Sequence, residues 1–181
     1  MVENARRKAR AGLEMSAGEV DLVVGVDTEV VLDGRLLGKA GNEADARKRL
    51  EALSGRTHEV LSGVLVIRAP AGGSSVDFVH QERTKSTVGR GQASMPEPTS
   101  DERSGVERSM VSFRSLSSAL LETYLASGEW RDRAGAYAVQ GLGSSLVERV
   151  DGDLSNVIGL PVSLLLELAP ELLDQAGDSR S

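Results

Sequence analysis

The sequence predicts an α/β fold, because stretches typical of strands alternate with stretches typical of helices. The apolar run from Val23 to Val26 is rich in β-branched residues and suits a covered strand. The pair Asp33-Gly34 lies between two apolar stretches, and this pattern favours a two-residue hairpin turn. Ala46, Leu50 and Leu53 follow at helical spacing. Strands and helices therefore both contribute to the predicted fold.

The first half of the chain divides into a helix, a hairpin, a second helix and a long strand. Residues 3–15 predict an amphipathic helix, because apolar residues recur every four positions, at Ala5, Ala9 and Leu13. Asn42 suits the N-cap of the next helix, and Gly55 suits its end. Residues 58–67 are rich in Val and Leu and predict a core strand. Gly63 within this strand would allow a neighbouring element to approach closely.

The second half contains two further predicted helices, with a strand between them. Ser117 is a suitable N-cap for a helix that ends at Gly128. Residues 146–150 predict a strand, which a turn at 151–152 follows. A last helix is predicted from Pro161 through Leu168, because proline is favoured in the first turn of a helix.

Composition narrows the classes of function that the chain can have. Its 181 residues carry 21 Lys and Arg against 27 Asp and Glu, a net charge of −6, so an anionic ligand needs a local site. This balance argues against a general nucleic-acid-binding surface. The absence of cysteine excludes disulfides, thiol catalysis and Cys-ligated metal. We find neither a membrane-spanning apolar run nor a signal-peptide pattern, and therefore expect a cytoplasmic protein without a membrane partner.

Two histidines, His58 and His80, do not suffice for a His-rich zinc site. His58 begins the predicted core strand, where a general base and a structural histidine are the alternatives. We interpret His58 as structural, because a single histidine beside a strand is usually a hydrogen-bonded part of the core.

Asp27 and Lys39 are the first candidates for chemistry. Asp27 places a carboxylate where the β-branched run ends, and the hairpin carries Lys39 back alongside the following residues. A negative and a positive group would then face one cleft. The alternative on these residues alone is an edge hairpin with a solvated Asp and Lys.

Five ordered motifs carry a resemblance to a known family. They are DT at 27–28, GK at 38–39, HEVLSGVLV at 58–66, SGEWRDRAGAYAVQGLG at 127–143 and NVIGLP at 156–161. In this order and spacing, the chain resembles the Maf family of nucleoside triphosphate pyrophosphatases from about Lys8 to Leu168. The resemblance implies a twisted mixed sheet flanked by helices, with a cleft between two lobes. It also implies hydrolysis of a nucleoside triphosphate to the monophosphate and pyrophosphate.

The resemblance assigns roles to five residues of this chain. Asp27 is the expected proton acceptor, Lys39 the phosphate clamp, and Lys8 a helical lysine that helps to hold the triphosphate. Thr28 and Gln140 are the expected specificity positions, and Gln rather than Glu at 140 resembles the branch that acts on dTTP and UTP. The family also implies Mg²⁺ or Mn²⁺ with the substrate, and a homodimer. Gln140 fits a pyrimidine edge because an amide offers both a donor and an acceptor.

The chain also departs from the family pattern. Family members open with a strand and a Ser-x-Arg loop that grips phosphate, and this segment is missing before Met1, so we expect one N-terminally truncated domain over residues 1–181. The proline of the family's Gly-Lys-Pro is an alanine here, Ala40, and the lysine that usually follows Asp132 is Arg133. Arginine keeps the charge but changes the geometry. A catalytically impaired nucleotide-binding or partner-binding remnant is therefore the alternative function.

One segment breaks the resemblance altogether. Residues 69–105 are rich in Pro and Gly and poor in aliphatic residues, which predicts a mobile or disordered insertion. Two stretches, 82–88 and 107–113, both resemble the strand that the family has next. We prefer 107–113, because it runs directly into the helix capped by Ser117.

Overall fold

Helices and strands are interspersed along the chain. The computed structural model describes residues 1–15, 20–68, 76–79 and 101–173. Its helices are α1 (Val2–Met15), α2 (Glu43–Leu53), α3 (Ser118–Ser127), α4 (Leu154–Ile158) and α5 (Val162–Leu168), and a 3₁₀ helix covers Gly141–Leu146. Its strands are β1 (Leu22–Leu32), β2 (Arg35–Leu36), β3 (Thr57–Arg68), β4 (Val76–Val79), β5 (Glu102–Phe113) and β6 (Val147–Asp151).

The strands form one mixed sheet. Antiparallel pairing connects them in the order β2-β1-β3-β5-β6. The short strand β4 pairs parallel with residues 22–25 of β1. It lies along the same edge of β1 as β2, which pairs with residues 31–32. The sheet with its flanking helices confirms the predicted α/β class.

The two faces of β1 are covered by different helices, because successive side chains of a strand point to opposite faces. Val23 packs with Ala5 and Ala9 of α1. Val24 and Val26 pack with α5 on the opposite face. Further along that face, the largest apolar cluster joins β1, β3 and β5 to α2 and α3. Helix α1 thus covers one face of the sheet, whereas most of the apolar core lies on the other.

Local sequence signals for turns and caps are confirmed. Asp33 and Gly34 both have positive φ, at 51° and 74°, as a two-residue hairpin turn of the mirror-image type requires. The side chain of Asn42 accepts a hydrogen bond from the Asp45 amide at the start of α2. Ser117 caps α3 in the same way, and that helix ends at Gly128 in the left-handed conformation.

Other expectations need correction. The strand predicted at 107–113 is confirmed, but β5 begins at Glu102, and residues 76–79 form β4. Both stretches belong to the segment expected to be mobile or disordered, so that expectation is wrong at 76–79 and 102–105. The rest of the segment, including the alternative strand at 82–88, lies outside the described residues. The short helix α4 was not predicted. In the described part of the chain, no helix has the length and apolar character needed to cross a membrane.

Candidate functional site

A cavity of about 590 Å³ opens beside the middle of β1. Strand β4 pairs with β1 up to residue 25, and β2 pairs with it from residue 31. Among the described strands, none covers this edge between those two points. The cavity is lined by all five residues that the sequence assigned to the site, Lys8, Asp27, Thr28, Lys39 and Gln140. The predicted cleft with Asp27 and Lys39 facing it is therefore present.

Asp27 is held by two side chains of α1. The Lys8 ammonium donates to its Oδ1 at 2.7 Å, and the Asn4 amide donates to its Oδ2 at 3.0 Å. The Asp27 side chain is only 14 % exposed, so both hydrogen bonds are partly shielded from water. An ionised carboxylate accepts about four hydrogen bonds, and each oxygen thus keeps capacity for a water molecule or a substrate group.

Lys8 lies in the cavity wall, as expected, but it already has two partners. Besides Asp27, its ammonium donates to the Val26 carbonyl at 2.8 Å. An ammonium has three donors, so one remains for a further acceptor. In this arrangement Lys8 first fixes the carboxylate of Asp27, and a phosphate contact would come in addition.

Thr28 points to the opposite face of β1 from Asp27. Its hydroxyl forms a hydrogen bond of 2.7 Å with the Ser62 hydroxyl of β3, and a long one of 3.5 Å to the Gly159 carbonyl. Gly159 follows α4 and also lines the cavity. Thr28 therefore joins the sheet to the segment between α4 and α5, beside the space that a ligand would fill.

Lys39 belongs to a group of cations around the mouth of the cavity. A single antiparallel bridge pairs Lys39 with Ala134, and the Lys39 ammonium lies 4.0 Å from a carboxylate oxygen of Asp132. Arg131 and Arg133 line the same cavity. Asp132 is largely exposed, so this ion pair is weak and a more highly charged anion could replace it. The bridge fixes the backbone near three cationic side chains.

Gln140 is exposed at the cavity, at the start of the 3₁₀ helix, and its side chain does not cap that helix. The turn that carries it is held by Glu129, whose two carboxylate oxygens accept from the amides of Leu142 and Gly143, both at 3.1 Å. Gly141, which precedes these two residues, has φ of +61° and lies against this carboxylate, where a side chain would clash. The backbone is thus fixed, while the Gln140 amide is presented to the cavity.

His58 is a structural residue, as interpreted from the sequence. It is buried, with 1 % of its surface exposed, and shares a 2.7 Å hydrogen bond with the Tyr137 hydroxyl. Its ring contacts Phe113 and Tyr137 edge to face. Burial lowers the pKa of His58 to about 4, because the protonated ring would lose its hydration. Tyr137 lines the cavity, so His58 supports the cavity wall from behind.

The described side chains do not fit a preformed metal site. Among the residues that the structure describes, no group of three or more His, Cys, Asp or Glu is placed to hold a metal ion. Asp27 lies in the cavity, but Lys8 and Asn4 each already donate to one of its oxygens.

Three residues that hold the predicted site residues in place were missed by sequence reasoning. They are Asn4, Ser62 and Glu129, which hold Asp27, Thr28 and the Gln140 turn. Only Asn4 had a signal that could have revealed it, because Asn4 and Lys8 are four residues apart and therefore share one face of a helix. The contacts of Ser62 and Glu129 depend on strand register and on loop structure.

One family and several individual proteins match this chain. The family described as "Maf-like protein" matches residues 1–172. The chain is 40 % identical over 164 residues to a dTTP/UTP pyrophosphatase of Pyrococcus abyssi, covering 91 % of this chain and 71 % of that protein. It is 37 % identical over 148 residues to one of Pyrococcus furiosus, with coverages of 82 % and 62 %. It is 43 % identical over 173 residues to one of Anaeromyxobacter, with coverages of 96 % and 67 %.

Proposed function

Because the chain belongs to the family of Maf-like proteins, we propose that it hydrolyses dTTP and UTP to the nucleoside monophosphate and pyrophosphate. The observation that carries the proposal is the arrangement of one cavity. A carboxylate held by two donors lies on its strand wall, cations surround its mouth, and an exposed amide is presented from a fixed turn. The carboxylate suits a general base, the cations suit a triphosphate, and the amide suits the edge of a pyrimidine.

The reaction requires a water molecule to attack the α-phosphorus. Asp27 accepts a proton from this water as the new P–O bond forms, and the bond to the β-phosphate oxygen breaks. The leaving pyrophosphate gains negative charge, which Lys39, Arg131 and Arg133 at the mouth of the cavity are suited to stabilise. Arg131 also stacks over the Trp130 ring, with its guanidinium carbon 4.8 Å from the ring centre, which limits its motion.

Recognition of the base falls to Gln140 and Thr28. The Gln140 amide can donate to a carbonyl of uracil or thymine and accept from the ring N–H, so one side chain serves both groups of the pyrimidine edge. The Thr28 hydroxyl is already bonded to Ser62 and, over a longer distance, to the Gly159 carbonyl, which leaves it one lone pair for a further partner beside the cavity.

We also propose a cation, an oligomeric state and a cellular location for the protein. A divalent cation, Mg²⁺ or Mn²⁺, is proposed to arrive with the triphosphate, since Mg²⁺ commonly binds substrate phosphates and the described side chains offer no closed site for it. A homodimer in the cytoplasm, without nucleic-acid or membrane partners, is proposed from the family resemblance and the charge balance.

A nucleotide panel tests the proposed function. The 181-residue chain should release pyrophosphate from dTTP and UTP faster than from purine nucleotides. Asp27→Asn should abolish turnover while nucleotide binding is largely kept, because it removes the base and keeps the shape of the side chain. Asp33→Asn is the matched control, since this exposed turn residue makes only a surface ion pair with Arg56 and asparagine also suits the turn.

Unchanged turnover in a folded Asp27→Asn protein would remove Asp27 from the mechanism. Nucleotide binding by the parent chain without any pyrophosphate release would instead identify the impaired remnant. Circular dichroism of each variant separates both outcomes from unfolding.

A further inference from the structure

The two oxygens of Asp27 have different donors, and only one of these donors is charged. Lys8 donates to Oδ1, whereas the neutral amide of Asn4 donates to Oδ2. Asn4 and Lys8 are one helical turn apart on α1, so both side chains project from the same face of the helix. Asn4 has no place in the family motifs described above, and its position at the site comes from the structure alone.

The short side chain of Asn4 reaches Asp27 because α1 lies almost directly on the strands. Gly25 of β1 lies under the helix, where an added Cβ would overlap the Ala5 carbonyl oxygen. At Gly63 of β3, directly across from Asp27, an added Cβ would lie 2.7 Å from the Val2 amide nitrogen. Arg6 and Arg10 of α1 also bond to Glu102 of β5, at 3.3 and 3.2 Å. The helix is thereby fixed against the sheet, and so is the position from which Asn4 donates.

Two donors from one fixed helix restrict the carboxylate more than one does. The ammonium of Lys8 is a flexible point charge, around which a carboxylate can still rotate. A second hydrogen bond to the other oxygen fixes the plane of the carboxylate without adding charge. One lone pair on each oxygen then remains to accept a proton from water.

We propose that Asn4 is a positioning residue for Asp27, which orients the carboxylate to act as the base of the reaction. The inference rests on the proposed function, because it gives Asp27 the role of base. It adds a residue of α1 to the machinery of hydrolysis and explains why two glycines lie beneath that helix.

Other charged groups also face this part of the cavity and remain unchanged in the test. Helix α1 contributes Lys8 and Arg7, whose guanidinium donates to the Asn4 side-chain oxygen at 3.5 Å. The amino group of Met1, just before this helix, lies 3.9 Å from Glu29 of β1. Lys39 and residues 131–133 contribute three cations and one carboxylate on the opposite side. Strand β3 contributes uncharged Gly63 across from Asp27.

The experiment compares Asn4→Asp and Asn4→Ala in the full chain, with Asn42→Asp as the matched control. Asn4→Asp places a second carboxylate against Asp27, and the repulsion should raise the pKa of Asp27 by about one unit or more. Asn4→Ala removes the donor without adding charge and should raise this pKa by less. Asn42→Asp makes the same chemical change at an exposed helix cap, where aspartate caps as well as asparagine, and should leave it unchanged.

Two readouts are needed. Carbon-13 NMR of the Asp27 carboxyl, assigned by its loss in Asp27→Asn, gives the pKa of Asp27 whether or not the protein turns over. The pH profile of kcat/KM for dTTP gives the pKa that limits catalysis. We expect both pKa values to move upward together. One pH unit below the midpoint of the parent's pH profile, kcat/KM of Asn4→Asp should be roughly tenfold lower than that of the parent.

Three results would overturn the inference. An unchanged Asp27 pKa in folded Asn4→Asp and Asn4→Ala would show that Asn4 does not control the carboxylate. Reduced activity and a lower melting temperature with an unshifted pH profile would show a structural role only. A shifted Asp27 pKa with an unshifted pH profile would contradict the role of Asp27 as base, and the proposed function would then need another base. If Asn4→Asp does not fold, Asn4→Ala alone decides between these results.

Discussion

Gln140 is the residue on which pyrimidine selectivity should depend most directly. Its exposed amide is presented by a turn that Glu129 holds. Replacing this amide by a carboxylate in Gln140→Glu removes the donor that a uracil or thymine carbonyl needs. An unpaired acceptor costs about 1–3 kcal/mol, so we expect preference for dTTP and UTP to fall roughly ten- to hundredfold. The measurement is kcat/KM for each nucleotide.

CTP serves as the internal comparison for this substitution. Cytosine carries an amino group that a carboxylate can accept from, so CTP should lose less than dTTP and UTP do. A substrate profile identical to that of the parent chain would remove Gln140 from base recognition.

His58 makes the stability of the fold depend on pH. Its pKa is about 4 in the folded protein and about 6.5 in an unfolded chain, so only the unfolded chain binds the proton between these values. Above pH 6.5 the histidine is neutral in both states and has no effect. As the pH falls from 6.5 to 4, the free energy of unfolding should decrease by about 1.4 kcal/mol per unit, or roughly 3 kcal/mol in all.

Urea unfolding at pH 7, 5.5 and 4.5 measures this dependence. His58→Gln removes the titrating group, and its free energy of unfolding should therefore change less over the same range. His80 lies outside the described residues and is common to both proteins, so the difference between them isolates His58. Equal pH dependence of the two proteins would contradict the assignment of a buried, neutral His58.

Helix α1 is the element that delivers Lys8 and Asn4 to the site, and Gly25 decides how closely it can lie on the sheet. Gly25→Ala places a methyl group against the Ala5 backbone, so the helix must move. We expect a loss of about 1–3 kcal/mol in the free energy of unfolding, as is usual for overpacking, together with a lower kcat/KM. Denaturant unfolding and dTTP hydrolysis measure the two effects.

Gly41→Ala is the control for that substitution. At Gly41 the nearest atom to an added Cβ is an Asp45 carboxylate oxygen at 3.6 Å, an ordinary contact. If Gly25→Ala matched Gly41→Ala in both stability and rate, the close approach of α1 would not be needed for the site.

Elements whose signals are local could be predicted from the sequence. The hairpin at Asp33-Gly34, the caps at Asn42 and Ser117, and the end of α3 at Gly128 each depend on a few neighbouring residues. The start of β5 at Glu102 could not be predicted, because its first residues are polar and are held by pairing with β3. Strand β4 likewise depends on long-range pairing, because its partner residues in β1 lie some fifty positions earlier in the chain.

The predictability of the site follows the same division. The family resemblance named five residues, and the structure places all five in the lining of one cavity. The partner of each residue was not predictable, because Lys8 bonds to Asp27 and Lys39 lies near Asp132 only once helix, strand and loop have assembled. Asn4 and Glu129 depend on the same long-range assembly.

At the scale of the whole molecule, the position of the cavity follows from the arrangement of strands along β1. Between residue 25, where pairing with β4 ends, and residue 31, where pairing with β2 begins, no described strand covers this edge of β1, and the cavity opens there. Helix α1 borders this opening with a neutral and a cationic donor, and the loop at 131–140 borders it with cations and an amide. The chain has a net charge of −6, whereas this site is locally cationic. Because salt screens the cations of the site, binding of a triphosphate should weaken as the salt concentration rises.

Hydrolysis of dTTP in water enriched in oxygen-18 tests the central claim most directly. If Asp27 activates water for attack on the α-phosphorus, mass spectrometry should find one labelled oxygen in each dTMP and none in pyrophosphate. Asp27→Asn should form neither product. Label in pyrophosphate, or release of dTDP with inorganic phosphate, would place the attack on another phosphorus and contradict the account.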